Sequence, residues 1–171
     1  MNPVLRGPSR WLAGWMVLAL VACATPPAPP TAAPRNADLL SWSGRLALNI
    51  ASTPPQSISA GFELKVQPPT KGELHFLSPL GTTLATLQWT PGQALLQQGD
   101  KRWEDSSPDA LLTRLTGAAL PMAALIDWLQ ARPTEVKGWQ ADMSQMSSGK
   151  LRVQSTDDGM PRVTLRLIVE P

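Results

Sequence analysis

The stretch Ser57-Ile58-Ser59-Ala60-Gly61-Phe62-Glu63-Leu64-Lys65-Val66 alternates without a break. Ile58, Ala60, Phe62, Leu64 and Val66 fall on one side, and Ser57, Ser59, Gly61, Glu63 and Lys65 on the other. Successive side chains of a strand point to opposite faces, so ten residues of this pattern predict a strand with one face in a core and one in water. The same period appears upstream, where Trp42, Leu46, Leu48 and Ile50 share a face opposite Ser43, Arg45 and Asn49. Further short strands are predicted over residues 72–77, 82–89, 93–98 and 101–104, separated by Pro, Gly and Asp turns.

Beyond residue 105 the period changes from two to that of a helix. Ser106 reads as a cap with Asp109 three residues later, Pro108 lies in the first turn, Leu111, Leu112 and Leu115 gather on one side, and Gly117 is the stop. Met122, Leu125, Ile126 and Leu129 then recur at helical spacing, with Pro133 as the closing signal. Alternation resumes over residues 138–145, 150–155 and 162–169, and Asp157-Asp158-Gly159 reads as a hairpin turn. The predicted fold is mainly β with some α. A long antiparallel sheet with one apolar face must curl, and the intervening helices cover it, giving an open, partly closed half-barrel lidded by short helices. Such a lidded sheet encloses a concave apolar cavity.

The N-terminus reads as an address rather than as fold. Arg6 and Arg10 precede an apolar run over residues 11–22, shorter than the ~20 residues of a spanning helix. Leu20-Val21-Ala22-Cys23 resembles the bacterial lipobox, and Cys23 is the only cysteine. The predicted organisation is a signal peptide over 1–22, a lipidated Cys23 with a Pro/Ala-rich tether over 23–37, and one domain over 38–171. Diacylglycerol and an N-acyl chain on Cys23 are the expected covalent groups, and two or more such chains anchor stably. A lipid-anchored protein facing the periplasm follows, and Ala24 in place of Asp favours the outer membrane.

Composition removes several function classes. The 15 Lys+Arg, less Arg6 and Arg10, leave 13 against 13 Asp+Glu, so the processed chain lacks the cationic footprint of a nucleic-acid binder. The single histidine, His75, sits between Leu74 and Phe76 with no serine elbow nearby, and no cluster of His, Cys and carboxylates suggests a metal. No enzyme, metal or cofactor is expected. Trp42, Trp89, Trp103, Trp128 and Trp139 read as core or cavity lining.

The turn Ser78-Pro79-Leu80-Gly81-Thr82 carries one anomaly. Pro79 and Gly81 suit a tight turn, but a leucine at a hairpin tip forgoes roughly 1.5–3 kcal/mol of burial unless something covers it. Read locally, Leu80 folds back on its neighbours.

A resemblance changes that reading. Trp42-x-Gly44-Arg45-Leu46-Ala47-Leu48, Ser59-Ala60-x-Phe62, Ser78-Pro79-Leu80-Gly81-Thr82, Leu115-Thr116-Gly117, Leu120-Pro121-x-x-x-Leu125-x-x-Trp128-Leu129 and Gly138-Trp139 occur in that order. Together they resemble the LolB family of outer-membrane lipoproteins over residues 38 to 170. The resemblance implies a lidded open barrel that accepts lipoproteins from the periplasmic carrier LolA. It then inserts them into the inner leaflet of the outer membrane without ATP, holding the client acyl chains in an apolar cavity, as a monomer. It implies that Leu80, flanked by Pro79 and Gly81, projects toward the membrane. Trp42, Leu46, Leu48, Phe62, Leu64, Phe76, Leu125 and Trp128 are the expected cavity lining. The chain departs from the family pattern at Leu64 and at its C-terminus, where relatives often carry aromatics. The alternative function is a periplasm-facing scaffold lipoprotein that binds partners at its sheet edges and transfers no lipid.

Overall fold

The computed structural model describes residues 39–67, 71–157 and 161–171. Cys23, the leader, the whole tether and the turn at Asp158-Gly159 lie outside the described residues. Strands β1 (Leu40–Ile50), β2 (Gln56–Gln67), β3 (Lys71–Leu77), β4 (Thr83–Thr90), β5 (Gln93–Gln98) and β6 (Lys101–Asp105) come first. Helices α1 (Pro108–Thr116) and α2 (Met122–Leu129) follow, then β7 (Trp139–Asp142), a short 3-10 turn, β8 (Lys150–Ser155) and β9 (Val163–Val169). All strands form one antiparallel sheet of order β6-β5-β4-β3-β2-β1-β9-β8-β7. Its edges, β6 and β7, are not paired to each other, so the sheet is an open half-barrel, as the alternation predicts.

Topology explains the cover. The chain leaves one edge at β6 and returns at the other as β7, and both helices lie on that crossing. They pack their apolar sides against the inward residues of the sheet, in one core that includes Leu48, Phe62, Leu64, Leu87, Leu112, Met122, Leu125 and Leu165. Among the described residues no helix is long and apolar enough to cross a membrane.

β1 joins the N-terminal strands to the C-terminal ones, pairing β2 along its whole length and β9 from Gly44 to Ile50. Gly44 marks where that second ladder begins. A Cβ added there would meet the Ile168 carbonyl oxygen at 1.9 Å, so only a residue without a side chain lets β9 approach.

The helix ends differ from the local reading in one respect. The α1 cap is Ser107, not Ser106, and its hydroxyl makes no capping bond. Pro108 at the first helical position forces the residue before it into extended backbone, and Ser107 has φ −123° and ψ 125°. The Asp105 carboxylate accepts the Ser107 N–H at 2.9 Å instead. Asp109 does not turn back on Ser106. Its Oδ1 accepts the backbone N–H of Met122 at 3.1 Å, so α1 caps α2. Gly117 ends α1 in the left-handed conformation at φ 75°. α2 ends at Leu129, before Pro133, where Asp127 accepts hydrogen bonds from Arg132 and from the Thr134 hydroxyl.

Two predictions follow from these joints. Gly44→Ala should destabilise the domain by about 1–3 kcal/mol through overpacking at the β1–β9 seam, measured as a lower urea midpoint at unchanged slope. The Arg132 and Thr134 hydrogen bonds lower the Asp127 pKa, so the ionised carboxylate stabilises the fold above its unfolded pKa and loses that effect as pH falls through the folded value. Asp127→Asn should therefore melt below wild type at about pH 7 and approach it at about pH 2–3, in thermal melts at both values.

Candidate functional site

The concave face is not completely filled. A cavity of about 260 Å³ lies between the sheet and the helices, lined by residues of β1, β2, β3, β4 and β9 below and by α1 and α2 above. Six of the expected residues line it: Leu46 and Leu48 from β1, Phe62 and Leu64 from β2, Phe76 from β3 and Leu125 from α2. Their strand positions share one parity and face one another across the ladders, as in Leu64↔Leu74 and Phe62↔Phe76.

Two expected residues are corrected. Trp128 is 1 % exposed and does not line the cavity; its indole Nε1–H donates to the Thr134 carbonyl at 2.9 Å. Trp42 lies on the part of β1 beyond the β9 ladder and packs against the margin of the core. No tryptophan lines this cavity; leucine dominates it, with two phenylalanines. The reading from β1, β2 and α2 missed Leu112 and Leu115 of α1, Leu129 of α2 and Leu165 and Leu167 of β9. Their alternation and helical spacing were visible, but which apolar positions border a gap depends on how the helices sit over the sheet.

The lining has no ionisable side chain. Thr116, its buried polar member, is satisfied within its own turn: its hydroxyl donates to the Leu112 carbonyl at 2.8 Å and accepts the Ala118 N–H at 3.2 Å. Ser59 and Gln98 are the remaining polar contributors, and both are exposed. A site without charge or an unpaired buried polar atom can hold a ligand only by burying its apolar surface. His75 is elsewhere, half-buried on the outer face between Thr86 at 3.1 Å and Glu73 at 2.9 Å. Among the described residues no group of His, Cys, Asp and Glu is placed to hold a metal.

The cavity reaches the end of the sheet that carries the β3–β4 turn, since Leu84 near the start of β4 and Gln98 at the end of β5 both border it. That turn is self-contained. Gly81 N–H donates to the Ser78 carbonyl at 2.9 Å, Ser78 N–H to the Thr82 carbonyl at 2.8 Å, and the Ser78 hydroxyl accepts Leu80 N–H and Thr82 N–H at 3.3 and 3.1 Å. Gly81 supplies the positive φ of 81° that closes it. Pro79 and Gly81 are exposed, and Leu80 is 94 % exposed. Leu80 therefore stands out in solvent on a loop whose backbone is hydrogen-bonded, and does not fold back.

Comparison with known proteins gives a consistent result. The family model described as outer membrane lipoprotein LolB matches residues 40–161. The outer-membrane lipoprotein LolB of Bordetella petrii is 30% identical, over 93% of this chain and 90% of its own. That of Bordetella pertussis is 28% identical over 98% and 96%, and that of Chromobacterium violaceum 27% over 76% and 78%.

Filling the cavity tests its use. Ala60 lines it from β2, and Ala60→Leu should leave the melting temperature within a few degrees while weakening uptake of a fluorescent long-chain fatty acid about tenfold, by equilibrium titration.

Proposed function

The chain belongs to the outer membrane lipoprotein LolB family, and on that premise we propose that it accepts lipoproteins from the periplasmic carrier LolA and inserts them into the inner leaflet of the outer membrane. Cys23, carrying diacylglycerol and an N-acyl chain, anchors it there, and the Pro/Ala-rich tether holds the domain on the periplasmic side. No nucleotide is consumed. Client acyl chains move between carrier, cavity and bilayer by exchanging one apolar environment for another at roughly 0.8 kcal/mol per methylene.

The observation that carries this reading is the pairing of two features at one end of the sheet. An apolar, uncharged cavity borders the strand that begins just after a hydrogen-bonded turn with a fully presented leucine. In this reading the cavity holds chains, and Leu80 dips into the leaflet to hand them on. Pro79 and Gly81 set the turn that presents it. At about 260 Å³ the cavity is smaller than the ~300–1,000 Å³ of drug-sized sites, so it admits part of one chain. A client with several acyl chains requires the helices to ride up from the sheet.

Leu80→Glu tests the assignment. Because Leu80 is almost fully exposed, the substitution should change stability by no more than about 0.5 kcal/mol. It should leave transfer from LolA intact and stop delivery to outer-membrane vesicles, so that client accumulates on the variant. Normal delivery by this variant, or a wild type that takes up neither client nor fatty acid, would remove the reading and favour the scaffold alternative.

A further inference from the structure

β3 and β4 fall out of step beside the turn. Phe76 faces Ala85 across the ladder, but Leu77 faces Thr83, so Leu84 is left without a partner on β3. An extra residue of this kind bends the strand and re-aims a side chain, and such bulges are concentrated at barrel rims and beside functional sites. Ala85, Leu87 and Trp89 are buried on the concave side, and strict alternation would turn Leu84 to the outer face. It borders the cavity instead, while remaining 46 % exposed. Among the described residues, the exposed large apolar side chains are Leu39, Leu80, Leu84 and Ile168, and of these only Leu84 also lines the cavity. It stands four positions after Leu80, at the rim where α1 contributes the half-buried Leu115 and β5 contributes Gln98.

We propose that Leu84 is the sill of the cavity, the apolar surface over which an acyl chain passes between the interior and the bilayer at the Leu80 turn. This rests on the lipid-transfer reading above and adds a residue to it. A chain crossing a polar rim would expose its methylenes to water midway, where apolar surface is costly. A half-exposed leucine shields them at that point only. Its buried half adds a little to burial at the cavity end, but its exposed half shields the chain only midway, so its effect falls more on the rate of transfer than on affinity.

The test loads the full chain with a fluorescent long-chain fatty acid and follows its loss to phosphatidylethanolamine/phosphatidylglycerol vesicles containing a quencher, by stopped flow. Leu84→Gln keeps the size and removes the apolar surface, and Leu84→Met restores the surface. The expected result is transfer about tenfold slower for Leu84→Gln, with its equilibrium affinity for the probe weakened by a smaller factor, about threefold at most, and near-normal transfer for Leu84→Met. Unchanged melting of both variants secures the comparison. Equal rates for wild type and Leu84→Gln would overturn the sill while leaving the transfer reading in place, as would weaker binding with faster release, which marks an ordinary wall residue. A wild type that neither binds nor releases the probe would overturn both.

Discussion

Nine antiparallel strands present one apolar face, and helices of nine and eight residues are what the described chain supplies between the two edges to cover it. A nine-residue helix is about 14 Å long, whereas the eleven residues of β1 extend about 36 Å. Such a cover seals the face only where the helices sit. The space left over is bounded by leucine and phenylalanine because those positions had to be apolar for the sheet to curl at all. The cavity is therefore a by-product of the fold's own packing problem, and its chemistry is inherited from the core.

The cover is also fastened unevenly. The two helices are tied to each other, since Asp109 of α1 caps the first N–H of α2, so displacing one carries the other. Attachment to the β6 edge includes the Arg114 guanidinium 4.9 Å above the Trp103 ring, a contact worth about 0.5–1 kcal/mol at an exposed site. On the other side, Arg132 and Thr134 fasten the turn after α2 to Asp127, and the Trp128 indole is committed to the Thr134 carbonyl. These are bonds within the lid and its following loop. Between lid and sheet the contact is chiefly apolar, which is non-directional and allows sliding.

Much of this was legible from period alone. The strict alternation of residues 57–66 and 163–169 identified the inward residues of β2 and β9, and the open lidded sheet followed from strands that sandwich two helical segments. Where local rules failed, a neighbour distant in sequence was responsible. The Ser106 cap failed because Pro108 dictates the backbone of Ser107, and Asp109 was already engaged by Met122, thirteen residues away. Trp128 reads from sequence as core or cavity lining and proves to be core, where a buried indole N–H needs an acceptor and finds it in the loop carbonyl of Thr134. Leu84 lies inside the strand predicted over residues 82–89 and nothing in the sequence singles it out, since a bulge depends on the register of the partner strand and leaves little trace in its own.

Leu80 and Leu84 show how two apolar residues can be left in water for different physical reasons. Leu80 is exposed at the tip of a closed turn: the Ser78 hydroxyl and the Ser78–Thr82 and Ser78–Gly81 backbone bonds satisfy the turn internally, and the side chain stands in solvent. Leu84 is exposed by misregister, half in the cavity and half out. A carrier that runs on differential burial alone cannot bind its cargo too tightly, because every methylene held must be released to the bilayer at equal or better burial. A modest cavity with no charged or unpaired polar anchor meets that condition at equilibrium. In the proposed transfer what remains is the barrier between the two apolar environments, and the two leucines that the fold leaves exposed around this turn would lie along that interval.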